Sequence, residues 1–309
     1  MFATTRVGAL AGYLADIALG DPKRGHPVAG FGQAAAKLEE FTYRDSKIAG
    51  AAHVGLLVGA VGVLGVFVQR RRGRLWSIAA TATATWISLG GTSLARTGLQ
   101  MSELLEYGDV EAARRLLPSL CARDPARLDG AGLTRAALES VAENTSDAQV
   151  APLLWSAAGG VPGVLSYRAV NTLDAMIGNR SPRYLRFGWA AARLDDLANF
   201  VAARVTAGLV VVCAPVVGGS PSGAVRAWRA DAARHPSPNA GVVEAAFAGA
   251  LGVRLGGPTQ YRHELQIRPT LGDGAPPTVT DLRRAVVLSR AVQAGAALVV
   301  WLPSYRRRP

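Results

Sequence analysis

Three long, mainly apolar runs constrain this chain more than any other feature: residues 50–69, 75–95 and 201–219. Each is close to the roughly 20 residues that an α-helix needs to cross the hydrocarbon core of a bilayer. A segment placed in lipid must satisfy its own backbone hydrogen bonds, so the runs predict helices. Residues 285–303 form a fourth predicted span, interrupted by Arg290 and Gln293. Residues 150–165 and 7–19 are shorter or broken by Gly and Pro, which suits re-entrant, interfacial or bundle-buried segments. Only 18% of residues are charged, against about 25% in an average soluble protein. The expected fold class is therefore all-α: a polytopic integral membrane helical bundle, one membrane-embedded domain over residues 1–309, with amphipathic helices and structured loops.

Amphipathic helices are expected in residues 108–143, where leucines alternate with arginines and acids. Residues 218–284 are rich in Gly, Pro and Arg and read as structured loops with short helices. The net charge of +12 collects at Arg70, Arg71, Arg72 and Arg74 and at Arg306, Arg307 and Arg308, both beside apolar runs. No basic recognition helix or interleaved aromatic pattern accompanies them, so nucleic acid is not expected as a partner and lipid is. The positive-inside rule places Arg70 to Arg74 in the cytoplasm, which puts the polar segments at the far ends of both flanking spans outside. A cytosolic nucleotide would require those segments inside, so the two inferences disagree. Cys121 and Cys213 lie far apart and Cys213 sits inside an apolar run, so neither a disulfide framework nor a CxxC metal site is indicated. The amino terminus has no basic region followed by an apolar core and a small-residue cleavage site, and it is read as retained.

Three polar segments carry the candidate chemistry. Glu143 and Asp147 are four residues apart, so a helix places both carboxylates on one face with Asn144 beside them. The face could hold Mg²⁺, or it could be a capped helix end. Arg168, Asn171 and Asp174 recur at three-residue spacing, suiting a phosphate at Arg168 and a metal at Asp174; the alternative is an exposed polar face. In Arg193-Leu194-Asp195-Asp196-Leu197-Ala198-Asn199, adjacent carboxylates repel unless a cation lies between them. Arg193 can neutralise Asp196, and Asp195 shares a face with Asn199; the alternative is a solvated helix start. Asp21 with His26, and His235 with Asn239 and Glu244, lie in loops shaped by Pro and Gly. The sequence contains no phosphate-binding G-x-x-x-x-G-K-[ST] loop, G-x-G-x-x-G unit, H-E-x-x-H or G-x-S-x-G element.

Taken together, E-N-T-S-D from Glu143, A-P-L-L-W from Ala151, Y-R-A-V-N-T-L-D-A-M-I-G from Tyr167, R-F-G-W-A-A-A-R-L-D-D from Arg186, S-P-N-A-G from Ser237 and L-G-G-P from Leu255 resemble one family. It is the adenosylcobinamide-phosphate synthase family, the CobD/CbiB proteins of cobalamin biosynthesis. D-x-x-x-G-D-P from Asp16 with His26-Pro27-Val28 resembles that family's opening signature, so the resemblance covers nearly the whole chain. Ala148 and Ala202 depart from it, standing where Gly and Pro are expected.

The resemblance implies a multi-pass cell-membrane ligase that joins adenosylcobyric acid to (R)-1-aminopropan-2-ol phosphate and consumes ATP with Mg²⁺. Glu143, Asp147, Asp174 and Asp196 are the expected catalytic carboxylates, and Asp174, Asp195 and Asp196 the expected metal ligands. Asn144, Arg168, Asn171, Arg183, Arg193, Asn239, Asp21 and His26 are expected to bind substrate and phosphate. From the chemistry alone, an Mg²⁺-dependent intramembrane prenyltransferase is the rival, with Asn171 to Asp174 and Asp195-Asp196 as diphosphate sites. A transporter is the third reading, although no internal repeat is visible.

Overall fold

The computed structural model describes residues 2–22, 25–71, 73–260 and 265–302. Arg72, Pro303 and the arginines at 306–308 lie outside the described residues. Among the described residues thirteen α-helices follow in chain order: α1 (Phe2–Leu19), α2 (Pro27–Thr42), α3 (Lys47–Arg70), α4 (Arg74–Ser88), α5 (Gly91–Glu106), α6 (Val110–Leu116), α7 (Gly130–Thr145), α8 (Ala151–Ile177), α9 (Tyr184–Phe187), α10 (Trp189–Cys213), α11 (Pro221–Asp231), α12 (Ala240–Leu251) and α13 (Val279–Trp301). A two-stranded antiparallel hairpin, β1 (Leu255–Gln260) and β2 (Leu265–Leu271), stands between α12 and α13.

Four helical segments among the described residues are long and apolar enough to cross a membrane: Lys47–Arg70, Gly130–Ile177, Trp189–Val217 and Val279–Trp301. The expected span at 50–69 falls within the first of them, and those at 201–219 and 285–303 overlap the last two, each running two residues past the helix end. The expected span at 75–95 is not one helix. Leu89 is extended (ψ 155°) and Gly90 follows in a non-helical conformation, so α4 ends after 15 residues and α5 begins anew. The local cause is Leu89-Gly90-Gly91, two adjacent residues without a Cβ to hold helical backbone. The break is used, because the freed Gly90 N–H donates to Ala148 O at 2.9 Å. α1 packs tightly along α4, and a Cβ at Gly8 or Gly12 would come within 2.6 Å of Thr81 or Thr85, the close small-residue approach that unites helices in lipid.

The segment Gly130–Ile177 cannot cross as one rod, because Gly160 (φ 61°, ψ −145°) breaks α8. An unbroken helix would hold residues 155 and 167 about 18 Å apart, yet the Trp155 and Tyr167 rings stack with centroids at 6.4 Å. Tyr167 Oη also donates to Asp147 O at 2.7 Å. The chain therefore turns at Gly160 and runs back beside its own first arm. Gln69 closes the turn by accepting the Val161 N–H at 2.7 Å, which satisfies a helix-start donor that lipid could not. The second arm runs antiparallel to α3: Gly65 abuts Pro162 near the turn, while Val54 packs with Ile177 and Phe187 at the other end.

The main apolar core joins α1, α5, α7, α10, α12 and α13. α12 is buried on nearly every side, as a helix apolar all round should be. The hairpin is absent from the sequence-based expectation of short helices and loops. It docks on α7, where the buried Glu139 pairs with Arg123 and accepts the Gly256 N–H at 2.7 Å, and Arg135 donates to Gly256 O at 2.6 Å.

Candidate active site

The turn at Gly160 lays two of the polar sequence segments side by side. Asp147 is thirteen residues before it and Asp174 fourteen after, so each carboxylate stands about 20 Å along its arm from the turn. This is the end of the bundle remote from Arg70 and Arg71. α10 brings in the third segment, with Asn199 Oδ1 2.8 Å from Tyr167 Oη and Asn171 Nδ2 donating to Asp195 Oδ1 at 3.4 Å. The backbone beside Asp147 is itself irregular: Ser146–Val150 forms a π-turn, a rare distortion that recurs at functional sites.

The three segments enclose a cavity of about 620 Å³, lined by the carboxylates of Glu143, Asp147, Asp174, Asp195 and Asp196, with Arg180 and Arg268 facing them. Five carboxyl groups thus share this wall with two guanidiniums. Among the described residues, no three His, Cys, Asp or Glu side chains are gathered closely enough to hold a metal alone. Carboxylate oxygens are nonetheless the right donors for Mg²⁺, which takes one or two of them and completes its shell with water and substrate phosphates. The donor set fits an Mg²⁺ that takes one or two carboxylates, and not an all-protein cage.

Asn239 ties the loop before α12 to the site: its Nδ2 donates to Asp196 O at 2.7 Å and its Oδ1 accepts from Arg204 at 2.7 Å. His235 lies on the same loop, buried, with Nδ1 accepting the Ser237 N–H at 3.1 Å. Burial first, and then the nearby Arg268 guanidinium, push its pKa down to about 4, so it lines the cavity as a neutral imidazole near pH 7. Glu244, part of the same loop motif, is fully buried behind the hairpin with Arg268 at 3.8 Å.

Not every expected residue joins this cavity. Arg193 lies outside its wall and pairs with Asp196 at 3.3 Å, the neutralisation that their spacing predicts. Asn144, Arg168, Asp21 and His26 line a second, smaller cavity instead. Arg183 lines neither: its guanidinium binds Glu39 at 2.9 Å and stacks over Tyr43 with 4.1 Å to the ring centroid. It anchors α2 to the chain before α9. Sequence reasoning missed Arg180, Gln266 and Arg268 in the large cavity. Arg180 was legible as a basic residue six after Asp174, whereas the hairpin residues gave no signal, because nothing in the sequence announces the hairpin.

Residues 9–289 match the family model described as CobD/Cbib protein. The chain is 76% identical over 313 residues to a Mycobacterium tuberculosis protein named "Cobalamin biosynthesis protein CobD", covering all of both chains. Proteins of the same name from Geobacter metallireducens and Rhodobacter capsulatus are 41% and 40% identical, covering 92% and 93% of this chain and the same shares of their own. No solved structure matches.

Proposed function

This chain belongs to the CobD/CbiB family of cobalamin biosynthesis proteins, and from that premise we propose that it is the membrane ligase making adenosylcobinamide phosphate. In this reading it joins a carboxylate of adenosylcobyric acid to the amine of (R)-1-aminopropan-2-ol phosphate with hydrolysis of ATP to ADP and phosphate. The observation that supports it is the cavity where Glu143, Asp147, Asp174, Asp195 and Asp196 converge with Arg180 and Arg268. No apolar tunnel for a polyprenyl chain is needed.

A carboxylate is a poor acyl donor because its oxygen is a poor leaving group. Attack of that oxygen on the γ-phosphorus of ATP forms an acyl phosphate and releases ADP. The amine then attacks the acyl carbon, the C–O bond breaks, phosphate departs, and the amine proton passes to a cavity carboxylate. Arg180 and Arg268 are placed to hold polyphosphate oxygens. Asp174, Asp195 and Asp196 are the proposed holders of Mg²⁺, which would neutralise the polyphosphate charge. Asp147 and Glu143 remain as proton acceptors. Since ATP is cytosolic, the reading places this end of the bundle on the cytoplasmic face of the cell membrane.

Isotope transfer tests the whole scheme. With both oxygens of the reacting carboxylate labelled with ¹⁸O, the product amide should keep one label and the released phosphate should carry the other. No product, or release of AMP and pyrophosphate, would overturn the proposal.

A further inference from the structure

Adjacent residues of the α7 segment face different spaces. Glu143 and Asp147 line the large cavity, while Asn144 and Ala148 line a second one of about 200 Å³. The end of α7 and the π-turn thus border both cavities. The other sides of the small cavity come from Asp21 and His26, from Ser93 and Thr97 of α5, and from Arg168 of α8. At 200 Å³ it falls below the roughly 300–1,000 Å³ of pockets for drug-sized ligands. A nucleotide or a corrinoid is excluded by size, and a few heavy atoms are not.

Two charged side chains in this wall are short of partners, and they have opposite signs. Arg168 Nη1 donates to Asn171 Oδ1 at 3.2 Å, while its Nε is buried without a hydrogen bond. Asp21 Oδ2 accepts from Ser93 Oγ, while its Oδ1 is buried without a donor. No ion pair joins the two among the described residues. A buried charged group left unsatisfied is costly, and a single ligand bearing both signs would complete both. His26 adds a polar edge: its Nδ1 accepts the Val28 N–H at 3.2 Å.

We propose that the small cavity seats a small zwitterion, a phosphate monoester with an ammonium group on a short chain, its phosphate on Arg168 and its ammonium toward Asp21. The guanidinium fork matches phosphate oxygens. Identifying the zwitterion as the amino alcohol phosphate of the ligation rests on the ligase reading; the charge arrangement does not. Binding at Arg168 is also felt in the large cavity, because Asn171 accepts from Arg168 and donates to Asp195.

The test is calorimetric titration of the full chain in lipid nanodiscs, without ATP or corrinoid. The probes are (R)-1-aminopropan-2-ol phosphate and inorganic phosphate. The wild type should bind the ester. Arg168→Gln should weaken it at least about tenfold, a loss of about 1.4 kcal/mol. Thr97→Phe, which fills the cavity from α5 without removing a charge, should weaken it as much, provided that its melting temperature shows a folded chain. Asp21→Asn should weaken the ester but leave inorganic phosphate within about twofold, since only the ammonium contact is lost. Wild-type ester affinity in both Arg168→Gln and Thr97→Phe, or no binding to the wild type, would overturn the proposal. The two readings separate cleanly. Ester binding with this mutational pattern but no ligation product would refute the ligase and keep the site. Ligation with an unchanged KM for the ester in both variants would refute the site and keep the ligase.

Discussion

At the residue scale, His235 shows how the site holds a titratable group in one state. Its folded pKa is pushed to about 4 by burial and Arg268, against about 6.5 in an unfolded chain. The unfolded chain therefore takes up the proton first as pH falls. The contribution of the neutral ring to stability is full above about pH 6.5 and is lost between there and about pH 4. Carboxylates also titrate in this window, so a difference measurement is needed. The melting temperature of the wild type minus that of His235→Asn should shrink on going from about pH 7 to about pH 4.5. A difference that stays constant or grows would show that His235 is not held neutral. Residue spacing alone foretold some of these relations. The i,i+3 pair of Arg193 and Asp196 and the shared face of Asp195 and Asn199 appear as expected. Asn144 did not follow Glu143, because one step along a helix turns a side chain by about 100°, here toward the other cavity.

Among the elements, the Gly160 turn decides most. It converts a segment of 48 residues into two antiparallel arms and so brings Asp147 and Asp174 to one level. A side chain at Gly160 would need φ 61° with ψ −145° and would place its Cβ 2.4 Å from Gln69 Oε1. Backbone in that region costs other residues about 1–3 kcal/mol, and the Gln69 cap would be displaced as well. Gly160→Ala should therefore lower the stability of the detergent-purified chain by at least about 2 kcal/mol. Gly30→Ala, where an added Cβ meets nothing within 4 Å, serves as the control and should be neutral or slightly stabilising. Equal stability of the two variants would contradict the turn. Helices such as α3 were legible because an apolar run of bilayer length has few other fates. The break at Leu89 and Gly90 was not, because hydropathy averages over two glycines without registering lost backbone restraint. The hairpin escaped for a related reason: β1 reads Leu-Gly-Gly-Pro-Thr-Gln, with no alternation of apolar and polar residues. Its pairing depends on distant partners in α7 and α12.

For the whole molecule, the consequence is a directional bundle. Gln69, Gly160 and Arg71 mark one end, while Asp174, Ser46 and Phe187 mark the other, with α3 running between. In a chain stripped of Cys121 and Cys213, only one of two single cysteines, at Arg71 or at Asp45, should react with an impermeant maleimide on intact cells, and the other only after permeabilisation. Labelling of both from one side would rule out α3 as a crossing. The ligase reading adds that the Asp45 side is cytoplasmic, against the positive-inside expectation from Arg70 to Arg74 alone. The arginines at the site end, including Arg180, Arg183 and Arg193, offset that signal in short loops. The account as a whole stands on the acidic cavity being where the ligation occurs. The most direct measurement is the rate of adenosylcobinamide phosphate formation by Asp174→Asn and wild-type chains in matched membranes, read as product mass with equal melting temperatures. Loss of a charge that acts on the reacting phosphates predicts a fall of about 10²-fold or more; a folded Asp174→Asn chain working at the wild-type rate would contradict it.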